Sequence, residues 1–260
     1  MRIAVGVEYD GSNFSGWQFQ KHGERTVQEE VERALSKVAN HPVRVHCAGR
    51  TDTGVHATGQ VIHFDTEAMR DERAWVFGAN ANLPKDVAVL WARPVSDEFH
   101  ARFSATCRAY RYVIFTRHVR PTFLAYRVSW HYKPLDVGRM AEAGRALVGE
   151  HDFSSYRAVA CQAKSPVRTL HKLEVTGEGP FIFIDVEANG FLHHMVRNIA
   201  GVLMAIGDGD RPVEWAKEVL EARDRALGGV TAQPYGLYLT EVAYPAEFGL
   251  PALTHVPPVW

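Results

Sequence analysis

Between Ile3 and Ala92 the residue pattern switches repeatedly between a two-residue and a helical period, and the order of the switches leaves few folds open. Ile3 to Tyr9 alternates as a strand. Thr26 and Glu29 form a capping box at the head of a helix predicted over Val27 to Ala39. Val27, Val31, Leu35 and Val38 fall on one face of it. Strands are predicted at Val43 to Cys47 and Gln60 to Phe64, a second helix at Asp71 to Ala79, and a strand at Val87 to Ala92. The order β-α-β-β-α-β reads as a ferredoxin-like unit.

The rest of the chain repeats this outline with insertions. A long strand is predicted at Arg108 to Thr116, and a helix at Val137 to Leu147 with Val137, Met140, Gly144 and Leu147 inward. Strands at Val167 to Thr176 and Phe181 to Ala188 flank a hairpin turn, Gly177-Glu178-Gly179-Pro180. A helix follows from near Leu192 to Ile206. Pro212 can open the next at its first position, which runs to about Arg223, and a last strand spans Leu237 to Ala243. The expected fold is α+β: two ferredoxin-like (RRM-like) halves, 1–104 and 105–245, and a tail, 246–260, that includes Pro251, Pro257 and Pro258. No low-complexity linker separates the halves, so one packed unit is expected.

A chain of 260 residues with a net charge of −1 is long enough for a real core and carries no overall bias toward a polyanion. The distribution of charge says more. No acidic residue lies between Glu98 and Asp136, a window holding Arg102, Arg108, Arg111, Arg117, Arg120, Arg127 and Lys133. A second acid-free window, between Asp152 and Glu174, holds Arg157, Lys164, Arg168 and Lys172. Basic stripes on a neutral protein are the footprint of phosphate binding. No apolar run is long enough for a membrane span. The alternating N-terminus reads as a strand rather than a signal peptide. Cys47, Cys107 and Cys161 lack zinc-like or redox-like spacing and read as buried thiols of a cytoplasmic protein. There is no dinucleotide turn and no phosphate loop.

Between the predicted strands at Val43 and Gln60 lies Ala48-Gly49-Arg50-Thr51-Asp52-Thr53-Gly54-Val55-His56-Ala57. Gly49 and Gly54 permit backbone geometry that other residues avoid. Arg50, two residues from Asp52, can hold it ionised by charge-assisted hydrogen bonding. A held carboxylate on an inter-strand loop suits a nucleophile or general base, and equally a pair that only ties down a turn.

The ten-residue loop resembles the signature of the TruA family of tRNA pseudouridine synthases, with Thr53 where alanine is expected. Gly16-Trp17-Gln18, Asn80 to Pro84, Phe99 to Ser104, Tyr110-Arg111-Tyr112, Phe191 to Asn198 and Gly236-Leu237-Tyr238 resemble family segments in family order, to about Pro245. The resemblance implies an isomerase that needs no cofactor. Its partner is tRNA, modified on the 3′ side of the anticodon stem-loop, and it acts as a homodimer without metal or membrane. The sheets of its halves join into one continuous, mostly antiparallel surface, with helices packed behind and the active-site cleft between the halves.

It further implies that Asp52 is the catalytic carboxylate, whether it attacks C1′, attacks C6 or acts first as a base. Arg50 places the flipped base, Tyr110 stacks on the uracil, Arg197 pairs with Asp52, and Leu237 lies under the base. Arg102, Arg108, Arg111 and His194 complete the expected substrate-binding set. By residue type alone Tyr110 and Leu237 could as well be strand core. His193 and His194 are adjacent on the predicted helix and share no face there, which argues against a metal and for contact with RNA phosphate or sugar. Two other functions stay open: a non-catalytic RNA-binding protein, and a hydrolase using Asp52 with a metal or with His56.

Overall fold

The computed structural model describes residues 1–20 and 23–251. They pack as two compact units: Met1–Thr106 together with the chain from Tyr238 onward, and Cys107–Leu237. Both combine a sheet with helices, so the fold is α+β. Pro257 and Pro258, in the predicted tail, lie outside the described residues.

In the first unit β1 (Arg2–Tyr9) is central. It pairs antiparallel with β4 (Val87–Val95) on one side and β3 (His56–Asp65) on the other. The short β2 (His46–Cys47) pairs with the far end of β3, His46 opposite His63. The predicted strand at Val43 shrinks to these two residues for a local reason. The Val43 N–H donates to Ser36 Oγ, and the Val45 N–H to Glu32 Oε1, so side chains of α1 take donors a ladder would need. Helix α1 (Val27–Ala39) is capped by the Thr26 hydroxyl, which accepts from the Glu29 N–H, and it ends on Asn40 in the left-handed region. It buries Val27, Val31, Ala34 and Leu35. Helix α2 (Glu72–Asn80), capped by Asp71, buries Trp75 against Phe64.

The second unit is built on β5 (Cys107–Thr116), β8 (Val167–Glu178) and β9 (Phe181–Ala188), antiparallel in the order β5-β9-β8. β6 (Ser129–His131) adds to β5 in parallel, and β7 (Gly149–Asp152) adds to β8. Neither carries a hydrophobic alternation that a sequence pattern could reveal. Helices α3 (Val137–Arg145), α4 (Met195–Gly207) and α5 (Trp215–Ala222) supply the core residues Met140, Ile199, Val202, Leu203 and Val219.

Two helix starts and the placement of one strand differ from the sequence expectation. Helix α4 begins at Met195, because His194 takes φ +62° and breaks the helical run. Helix α5 begins at Trp215; Pro212 lies ahead of it and accepts from the Trp215 N–H. The last strand, β10 (Leu237–Ala243), is expected from the sequence in the second half. From Tyr238 onward it packs in the first unit, parallel to β3, with Tyr238 opposite His56 and Leu239 opposite Ala57.

Candidate functional site

The Ala48–Ala57 loop leaves the sheet after β2 and returns at β3, and hydrogen bonds from outside and within the loop tie down most of its backbone. Ala48 N–H donates to Val61 O at 2.8 Å. Gln60 is fully buried, and its carboxamide spans the loop's first turn, donating to Gly49 O at 2.7 Å. The buried Thr51 hydroxyl meets Tyr9 Oη at 2.8 Å, and Thr51 O accepts from the Trp17 N–H at 3.0 Å. Asp52 O accepts from the Val55 N–H at 3.1 Å, and the Gly54 N–H reaches Phe14 O at 3.4 Å.

The segment Gly11–Trp17 thus lies flush along the loop. Gly16, at φ +89°, has no room for a side chain: a Cβ there would stand 2.8 Å from Thr51 O and 3.2 Å from Asp52 C. Trp17 is 1% exposed and its ring lies 5.9 Å from that of Tyr9. The Asp52 side chain is left half-buried at the crest, on a backbone fixed on both sides. Such preorganisation is what a reacting carboxylate requires.

The Arg50 side chain is exposed. Its charge and that of Arg102 pull the Cys47 thiol down, against the burial that pushes it up to about 12. Arg102 is exposed and lies over the Phe103 ring at 5.6 Å. Its loop is moored by histidines. Ala101 N–H donates to His63 Nδ1 and Arg102 N–H to His100 Nδ1, both at 3.1 Å. The His63 and His100 rings lie 4.5 Å apart, with His46 5.0 Å from His63. Burial first, then the neighbouring charges of His100, Arg2 and His46, hold His63 down at about 4, with Asp65 opposing.

The other expected residues belong to the second unit. Tyr110 is half-buried on β5, edge-on to Phe191 at 5.1 Å, while Tyr112 two residues on is fully buried with its hydroxyl on Gln233 O. Tyr110 therefore stands at the margin of the core that Tyr112 occupies. Arg108 Nη1 donates to Asn189 O at 3.0 Å, close to Phe191 in sequence. Arg111 departs from expectation. Neighbours on a strand face opposite ways, and Arg111 forms a two-pronged pair with Asp185, its cross-strand partner on β9, at 2.7 and 2.8 Å. It serves strand pairing rather than the face that carries Tyr110.

Arg197, in the first turn of α4, is half-buried; its Nε donates to Ala232 O at 2.8 Å, and its own O accepts from the Ala232 N–H. Leu237 is buried at the start of β10. His193 and His194 precede α4 rather than ride on it, and their rings lie 4.0 Å apart. The helical argument that separated them therefore does not apply. His194 lines an open hollow with Ala158, Val159, Asp224, Arg225 and Thr231.

Sequence reasoning missed the residues that build the loop's frame: Tyr9, Asp10, Gly11 and Gln60. The turn signal in Tyr9-Asp10-Gly11-Ser12, right after a strand, could have found two of them.

The fold is α+β, with a carboxylate on a braced inter-strand loop of the first unit and an aromatic and arginines on a strand and a helix of the second. The family model described as tRNA pseudouridine synthase matches residues 5–104 and 143–245. A tRNA pseudouridine synthase A of Nitrosococcus oceani is 65% identical over 260 residues, all of both chains. One from Pseudomonas aeruginosa is 62% identical over 250 residues, 96% of this chain and 88% of that one. One from Alcanivorax borkumensis is 59% identical over 250 residues, 96% and 94% of the two. The chain belongs to the tRNA pseudouridine synthase family.

Proposed function

We propose that this isomerase converts uridine to pseudouridine in the anticodon stem-loop of tRNA, with Asp52 as the carboxylate that starts the reaction. The N1–C1′ bond of the target uridine breaks, the uracil turns, C5 bonds to C1′, and the C5 proton leaves as N1 gains one. No atom is gained or lost and no redox partner is consumed. The observation that carries this reading is the bracing of Asp52: Thr51 O and Asp52 O are both held, and Gly16 admits no side chain beneath them.

Tyr110 is proposed to stack on the displaced base and Arg197 to supply the positive charge that keeps a reacting carboxylate ionised. Leu237 offers an apolar surface for the base. Arg50, Arg102, Arg108 and His194 are proposed to meet RNA phosphate and sugar, which position an RNA without reading its sequence. A homodimer working in the cytoplasm is part of the same proposal. Among the described residues no helix is long and apolar enough to cross a membrane.

The test is nucleoside analysis of tRNA after incubation with the protein and no added metal or cofactor. Pseudouridine formed by the wild type and absent with Asp52→Asn supports the assignment. Pseudouridine formed equally by both proteins contradicts it.

A further inference from the structure

His56 ends the signature loop and begins β3, and it is 2% exposed. Its ring stacks on Tyr238 with centroids 4.6 Å apart and planes 18° from parallel. Its Nδ1 lies 3.0 Å from the Gly11 N–H and 3.2 Å from Asp10 Oδ1. Asp10 is itself fixed: the same carboxylate oxygen accepts from the Ser12 N–H and hydroxyl, and its N–H donates to Asp86 O. The backbone around Gly11 fits so closely here that a Cβ on Gly11 would stand 2.0 Å from Val55 O. The hydrogen bond from His56 comes first among the influences holding the Asp10 carboxyl well below its usual range.

These contacts close a circuit around Asp52. Gly11 is bound to His56; Phe14 N–H returns to Gly11 O; Phe14 O receives Gly54; Trp17 N–H holds Thr51 O; Val55 N–H holds Asp52 O. Without the His56 clasp, the circuit loses its side-chain link between the Gly11 turn and the C-terminal end of the loop, where the Tyr9–Ala57 pairing of β1 and β3 remains. We infer that His56, clasped at Nδ1 by Gly11 and Asp10, is a positioning residue that sets where the Asp52 carboxylate stands. The inference rests on Asp52 being the reacting carboxylate and extends that reading to the frame beneath it.

Nδ1 serves in either tautomer: bare, it accepts from the Gly11 N–H; carrying the ring proton, it donates to Asp10. Either way the requirement is for a polar atom at the Nδ1 position. Asparagine can place its Oδ1 close to that point, whereas glutamine carries its carboxamide out toward the Nε2 end. The role therefore separates two polar substitutions of nearly equal character, which a general need for a buried polar group does not.

The experiment is single-turnover release of tritium from uracil C5 of labelled tRNA, with enzyme in excess and saturating, beside tRNA affinity and thermal melting. The proteins are wild type, Asp52→Asn, His56→Asn, His56→Gln and His56→Ala. Expected are a rate loss of about thirtyfold or more for Gln and Ala, recovery of most of that loss by Asn, and tRNA affinity within about threefold throughout. Equal rates for the Asn and Gln variants, or a wild-type rate for His56→Ala, overturn the inference while leaving Asp52 in its role. Tritium release by Asp52→Asn at the wild-type rate overturns the proposed chemistry, and this inference with it. Should His56→Ala fail to fold, the Asn and Gln pair still decides.

Discussion

Two arginine-bearing connections between strands show opposite construction. The Ala48–Ala57 loop of the first unit has its backbone anchored at Ala48, Gly49, Thr51, Asp52 and Gly54, with Thr51, Val55 and His56 buried. The connection from Arg117 to Val128 in the second unit, leading from β5 to β6, is turned outward. Phe123 is 97% exposed and Val119 65%. Arg117 is spent on the carbonyls of Val119 and Arg120, within the same connection. Both carry positive charge, but only the first fixes a carboxylate. The difference teaches that a basic stretch marks a surface, whereas chemistry shows in how completely the backbone beside a reactive group is satisfied and held.

The sharpest way to break this contrast is at Asp52. Asp52→Asn should lower turnover by about a thousandfold or more while leaving tRNA affinity within a few-fold, as measured by pseudouridine yield and filter binding. The frame comes next. Trp17→Ala, in the brace, should cost about 3–5 kcal/mol in urea unfolding, the usual loss for a buried Trp. Phe123→Ala, in the outward connection, should stay within about 0.5 kcal/mol. A large cost at Phe123 would mean that the outward connection is no less structural than the loop.

Acid sharpens the picture from another side. His63 is held at about 4 against an ordinary 6.5, so between those values the unfolded chain binds a proton that the folded one refuses. Stability should therefore fall as pH drops from 6.5 to 4 and level off below, by on the order of 3 kcal/mol from this group. The facing groups are His100, His46, Arg2 and Asp65. His63→Gln should flatten that slope in melting curves taken across the range. The smallest effect concerns salt. Arg108→Ala should reduce the slope of log affinity against log salt by about 0.7–0.9, one phosphate contact. Arg111→Ala should leave that slope unchanged, since its guanidinium is committed to Asp185.

The elements of the first unit were legible because their signals are local: the Thr26 capping box, the one-face run of α1, the alternation of β1. The loop was legible as a motif, but its bracing was not. Gly16, Trp17 and Gly11 act through their own backbone on residues some 34–45 positions away, and no periodicity encodes such contacts. Arg111 shows the same limit: it turns to a cross-strand acid that only strand register reveals. Chain order places β10 with the half that precedes it, whereas parallel pairing with β3 takes it, from Tyr238 onward, to the other unit.

The most direct test of the central claim is tritium release from uracil C5 of labelled tRNA, wild type beside Asp52→Asn, with both shown to bind tRNA. C5 must lose its proton when it joins the ribose. Release by the wild type and none above background by the variant is the predicted result. Release by both, or by neither while binding persists, would contradict the account of Asp52 as the reacting carboxylate of this enzyme.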